Sequence, residues 1–111
     1  MWLRITAALM HLWPSLHVGV ATRFAAHGDL HNPNPWAAYL HRDLDDKHDA
    51  IVANRSLRAM SDVLICLPRT ARCTWAKVGD YGPRSSMVDL APLVSKRLRH
   101  NGKETAIMLS W

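Results

Sequence analysis

Val78-Gly79-Asp80-Tyr81-Gly82-Pro83-Arg84, followed by Met87-Val88-Asp89-Leu90-Ala91-Pro92, is the stretch that decides the fold of this chain. It reads as a strand over 74–78, a turn punctuated by glycine and proline, and a short strand at Met87 and Val88. Pro92 then opens a helix at its first position. Two acids, Asp80 and Asp89, stand nine positions apart at the strand ends. With Tyr81 and Arg84 beside them they mark a candidate polar site on a rigid frame. A plainer reading stays open: Asp80 as an Asx-turn former beside glycine, Asp89 as a residue near a helix N-terminus.

Immediately upstream, Cys66 and Cys73 bracket Leu67-Pro68-Arg69-Thr70-Ala71-Arg72, with apolar, strand-like residues on both sides. A hairpin over 61–66 and 73–78 sets the two cysteines opposite one another, where a cross-strand disulfide forms in an oxidising compartment. Two buried free thiols in a reducing compartment are the alternative. The seven-residue spacing lacks the paired pattern of a zinc site. Downstream, Leu93, Val94 and Leu98 give the helix an apolar side. Asn101-Gly102 supplies residues suited to a left-handed cap, and Ala106-Ile107-Met108-Leu109 reads as a buried closing strand.

The first half is less regular. Residues 1–17 carry one early positive charge and a short apolar run broken by His11 and Pro14. They read as a degenerate export signal or as an N-terminal helix, too short and broken to span a membrane. No cysteine precedes residue 66, so no lipid anchor is expected. Residues 18–24 read as the first strand, and residues 25–49 as a long loop in which 36–40 forms a helical turn. Trp36 and Tyr39 offer a stacking face for a sugar, or else pin the loop to the domain. His27 and His31 have a metal-type spacing, but Gly28 and Pro33 oppose the helix it requires. No metal or cofactor is expected. Ile51-Val52-Ala53 is a short strand and Asn54-Arg55-Ser56 a turn.

The 111 residues suffice for one domain with one modest core. With 49% hydrophobic residues and a formal net charge of +5, the chain is ordered and basic. Its charge favours anionic partners. The cluster Lys96-Arg97-Leu98-Arg99-His100 ends the helix and reads as a solvated face that suits the helix dipole, not a nucleic-acid patch. No phosphate loop or Gly-x-Ser-x-Gly elbow is present.

Taken together, Asp80-Tyr81-Gly82-Pro83, Val88-Asp89-Leu90-Ala91, the opening Gly19-Val20-Ala21-Thr22-Arg23-Phe24 and Ile51-Val52-Ala53-Asn54-Arg55-Ser56-Leu57 resemble, in order and spacing, the motifs of RlpA-like proteins. That family is related to the expansin and barwin-type barrels. The resemblance covers residues 18–111 and implies a mainly β fold. It is a six-stranded double-psi β-barrel with one short helix between the last strands, preceded by the signal-like segment 1–17. It implies an exported, monomeric protein acting on peptidoglycan or another cell-wall glycan, as a lytic transglycosylase or as an expansin-like binding module without catalysis.

For the catalytic reading, one carboxylic acid protonates the glycosidic oxygen and then recovers a proton from the sugar's own 6-hydroxyl as that attacks. The acid must stay protonated near neutrality, by burial or by a neighbouring carboxylate. Asp89 is the candidate acid/base and Asp80 its partner. Thr22, Trp36, Tyr39, Asn54, Tyr81 and Arg84 are the candidate substrate-binding residues. The chain departs from the RlpA pattern at Asn54, where the family has a histidine, and at Tyr81, where it has an arginine. The family's upstream glutamate falls near Asp43, Asp45 or Asp46.

Overall fold

A computed structural model describes residues 13–23 and 36–111. Phe24, His27, His31 and most of the signal-like segment lie outside the described residues. Eight strands and one helix occur among them: β1 (Ser15–Arg23), β2 (Trp36–Ala37), β3 (Arg42–Asp43), β4 (Ile51–Ala53), β5 (Asp62–Leu67), β6 (Arg72–Asp80), β7 (Val88–Leu90), α1 (Pro92–Leu98) and β8 (Lys103–Ser110).

Six of the strands close into a barrel in the order β1-β7-β4-β6-β5-β8. Four of the neighbouring pairs are antiparallel, while β1 with β7 and β4 with β6 are parallel. Exchanging β1, β4 and β5 with β6, β7 and β8 maps the ring onto itself and one parallel pair onto the other. This interlocked pairing is the double-psi arrangement, and the chain is a mainly β barrel of that kind.

The hairpin read around the cysteines is present, with Cys66 in register with Cys73. The two are joined in a disulfide with Cα atoms 4.0 Å apart. Burial alternates along β5, where Val63, Ile65 and Leu67 point inward. With Ala76, Val78, Val88, Leu90, Ala106 and Met108 they fill the barrel. The closing strand is buried only at alternate positions: Ala106, Met108 and Ser110 point in, while Ile107 and Leu109 are half-buried.

The helix starts at Pro92 as its sequence requires. Val94 and Leu98, four residues apart, are fully buried against the barrel. Seven residues do not sustain an isolated helix, so this docking holds it. The hairpin turn 68–71 caps its far end: Thr70 Oγ1 donates to the Leu98 carbonyl (2.9 Å) and Arg69 to the Arg99 carbonyl (2.6 Å). The left-handed cap residue is Arg99, at φ 54°, three positions before the expected Gly102. His100 is buried, not part of a solvated face. Its Nδ1 accepts from the Gly102 N–H (3.2 Å), so Nε2 carries the proton and donates to the Ala21 carbonyl (2.8 Å).

Two further expectations are corrected. The first strand begins at Ser15 and not at residue 18, because its ladder with β8 runs from Ser15 opposite Ser110 to Thr22 opposite Lys103. Residues 15–17 therefore belong to the barrel. Residues 36–40 form no helical turn; Trp36 and Ala37 pair with Asp43 and Arg42 in a small hairpin. His41 takes a left-handed φ of 56° in its turn, and Ala37, Leu44, Ile51 and Ala91 form a second small core beneath it.

Candidate functional site

The barrel topology brings the two acids to one strand. Ala53, the last residue of β4, is in register with Asp89 of antiparallel β7 on one side and with Asp80 of parallel β6 on the other. Thr22 of β1 is the parallel partner of Asp89. Four strands, β1, β4, β6 and β7, thus converge on a short stretch that holds Thr22, Asp80 and Asp89.

Asp89 is half-buried, and its Oδ1 accepts a hydrogen bond from Thr22 Oγ1 at 3.0 Å. Burial is the main cause that pushes the Asp89 carboxyl above its ordinary value. The charge of Asp80 acts in the same direction, and the Thr22 hydrogen bond opposes both without prevailing. Thr22 Oγ1 is also 3.0 Å from Ser86 Oγ. Asp80 lies at the end of β6, where its Oδ1 accepts from the Tyr81 N–H at 2.8 Å. Its carbonyl accepts from the Asn54 N–H at 3.3 Å.

Two of the aromatic candidates, Tyr39 and Tyr81, meet beside Asp80. Tyr81 is 65% exposed and meets the Tyr39 ring edge-to-face, with centroids 5.1 Å apart. Tyr39 is held there by its N–H, which donates to the Gly79 carbonyl at 3.0 Å. Trp36 is exposed on the same small hairpin.

Asn54 is 7% exposed, and both its amide nitrogen and its amide oxygen are hydrogen-bonded. Nδ2 donates to the Met87 carbonyl (2.8 Å), and Oδ1 accepts from the N–H groups of Ser56 (2.8 Å) and Leu57 (2.9 Å). It ties the 54–57 turn to the loop that leads into β7. Gly82, at φ 89°, lies against the backbone of Asn54, where an added Cβ would come within 2.5 Å of Asn54 Cα. Between the two loops is a polar cleft of about 240 Å³, lined by His17, Asn54, Arg55, Ser56, Pro83, Arg84, Ser86 and Met87. Through Ser86 it adjoins Thr22 and Asp89.

A second cleft of about 410 Å³ is lined by residues including Leu40, Asp49, Met60, Trp75 and Lys77, and by neither of the two acids. In the acid-rich loop Arg42 holds both Asp49 oxygens at 2.7 Å, and His48 Nδ1 lies 2.9 Å from Asp45 Oδ2. Asp43 is exposed on β3. Among the described residues, no group of three or more His, Cys, Asp or Glu could hold a metal ion.

Sequence reasoning missed three residues here. Ser86 carries no motif and Arg55 stands in the 51–57 motif without a role of its own, since a serine or arginine in a turn is unremarkable until its loop is placed. His100 was hidden in a run of basic residues, where only the three-dimensional ladder reveals its burial.

No family model matches the chain, and no curated protein matches it. Among solved structures the chain is similar to the Streptomyces papain inhibitor, at 14% identity over 86% of this chain and 93% of that one, with a TM-score of 0.61. At that identity the likeness concerns the fold alone, a closed β-barrel. No helix among the described residues is long and apolar enough to cross a membrane.

Proposed function

We propose that this barrel is an exported protein acting on cell-wall polysaccharide, with Asp89 as the acid of a transglycosylase-like cleavage. The observation that carries this reading is the half-buried Asp89 carboxyl, raised above its ordinary value beside a second carboxylate and oriented by Thr22. A carboxyl so placed gives up its proton less readily than a free aspartate. It delivers that proton to the glycosidic oxygen as the bond to the anomeric carbon breaks. The 6-hydroxyl oxygen of the same sugar attacks that carbon, closing an anhydro ring, and its proton returns to Asp89. Neither water nor an enzyme nucleophile is consumed, which suits a site with a single poised acid. Asp80 tunes that acid, and the Tyr39–Tyr81 pair with Trp36 supplies stacking surface for sugar rings. The Cys66–Cys73 bridge supports export to an oxidising compartment.

A second reading, a wall-binding module without catalysis, is favoured by one observation. At Asn54, where RlpA-like proteins have a histidine, the side chain is locked into backbone hydrogen bonds and handles no proton. The structural neighbour is named as an inhibitor of papain, so a papain assay belongs beside the glycan assays. The deciding experiment is digestion of stem-peptide-free peptidoglycan by wild type and Asp89→Asn, with mass spectrometry of the products. Anhydro-sugar ends from wild type alone establish the catalytic reading. Wild type that sediments with the wall yet releases nothing leaves the binding module, and papain inhibition without wall binding removes both.

A further inference from the structure

The cleft between the 54–57 turn and the 82–87 loop holds two guanidinium groups, Arg55 and Arg84, on opposite walls. Arg42 and Arg69 each close on a carboxylate. Arg55 and Arg84 have no ion-pair or hydrogen-bond partner among the described residues. The rest of the lining is largely polar, with Ser56, Ser86 and His17 among it. A concave polar surface with two uncompensated cations attracts an anion, and a guanidinium matches the two oxygens of a carboxylate in geometry as well as charge.

The two walls are fixed relative to each other. Asn54 bonds across the cleft to the Met87 carbonyl while gathering the N–H groups of Ser56 and Leu57. Gly82 packs its Cα directly on the Asn54 backbone. The loops that carry Arg55 and Arg84 are therefore clamped before any ligand arrives, which lowers the ordering cost of binding. The cleft also opens beside the acids, because Ser86 bridges from its lining to Thr22 and so to Asp89.

We infer that Arg55 and Arg84 form a subsite for a carboxylate borne by a sugar of the glycan strand bound at Asp89. The inference rests on the polysaccharide reading above and gives it a substrate class: acidic rather than neutral glycan. Two kinds of sugar bear such a group: sugars with a lactyl ether, which keep the 6-hydroxyl that the cleavage uses, and uronic acids, which lack it and would be bound without being the sugar cleaved. Asn54 acts here as a positioning residue, holding the loops that carry the arginines.

The test compares binding of neutral chitohexaose, hexagalacturonate and stem-peptide-free peptidoglycan strands to wild type, Arg55→Ala, Arg84→Ala, Arg84→Lys and Asp89→Asn. Thermal melts confirm that each variant is folded. Wild type is expected to prefer one or both acidic ligands over chitohexaose, with a preference that shrinks as salt rises from ~20 to ~200 mM. Each arginine-to-alanine change is expected to weaken acidic-ligand binding about three- to tenfold and leave chitohexaose unchanged. Arg84→Lys should fall between, and Asp89→Asn should keep the preference. Which acidic ligand gains identifies the sugar. Equal binding of neutral and acidic ligands, or a preference untouched by both alanine variants, overturns the subsite and leaves the polysaccharide reading standing. Binding of none of the three overturns both.

Discussion

Thr22 and Asp89 are register partners in the parallel pair of β1 and β7, and the Thr22 hydroxyl donates to Asp89 Oδ1 at 3.0 Å across 67 positions of sequence. That bond favours the ionised form of an acid which burial and Asp80 push toward its protonated form. Thr22→Val, close in shape but without the hydroxyl, should raise the Asp89 pKa further. Under the catalytic reading the alkaline limb of the pH–rate profile for glycan cleavage moves to higher pH. Stability should change by less than about 1 kcal/mol.

The same balance makes Asp89 a liability for the fold at neutral pH. A carboxyl with a raised folded pKa contributes stability that is fully present below its unfolded value and lost as pH rises through the folded value. Asp89→Asn should therefore melt above wild type at pH 7. The gain should be under about 1 kcal/mol, since solvent screens a partly exposed group, and should vanish as pH falls toward about 4. Thermal melts from pH 4 to 8 check it. A variant more stable at pH 7 yet unable to cleave glycan would display the usual conflict between stability and a strained site.

Gly82→Ala places a Cβ within 2.5 Å of the Asn54 backbone at a φ of 89°. Backbone cannot yield as a side-chain tip can, so the cost should be roughly 2–3 kcal/mol. Chemical denaturation measures it. Because the clamp it disturbs is local, the variant should also lose affinity for acidic glycan.

The disulfide closes a loop with a sequence separation of 7. Cys66→Ser with Cys73→Ser should lower stability by roughly 2–3 kcal/mol, about 10 °C in Tm for a domain of this size. Calorimetry of the double variant, beside wild type with and without reductant, tests this.

Elements built on local signals were legible in the sequence: the Cys66–Cys73 hairpin, the start of α1 at Pro92, and a short strand before it, read at Met87 and Val88 and found at Val88–Leu90. The closed six-stranded barrel followed from the order of its motifs. What stayed hidden depends on partners distant along the chain. Ser15, Leu16 and His17 look like the tail of a broken apolar run until β8 pairs with them. Trp36-Ala37-Ala38-Tyr39-Leu40 has the composition of a helical turn, but pairing with Arg42 and Asp43 and the Tyr39 bond to Gly79 make it a hairpin. Asn54 stands where RlpA-like proteins, which the sequence resembles, have a histidine, and its amide is spent on three backbone groups. At the site, the two acids could be named from sequence. Their meeting on either side of Ala53 follows only from a bulged parallel pair and an antiparallel pair that no local pattern encodes.

Asp89 is central as an acid whose carboxyl burial and Asp80 raise above its ordinary value. The most direct measurement is a pH titration of its side-chain carboxyl by carbon NMR in wild type and in Asp80→Asn. The account predicts that Asp89 titrates above the ordinary aspartate value of about 3.9 and moves down when the Asp80 charge is removed. An Asp89 that titrates at or below that value, indifferent to Asp80, would contradict it.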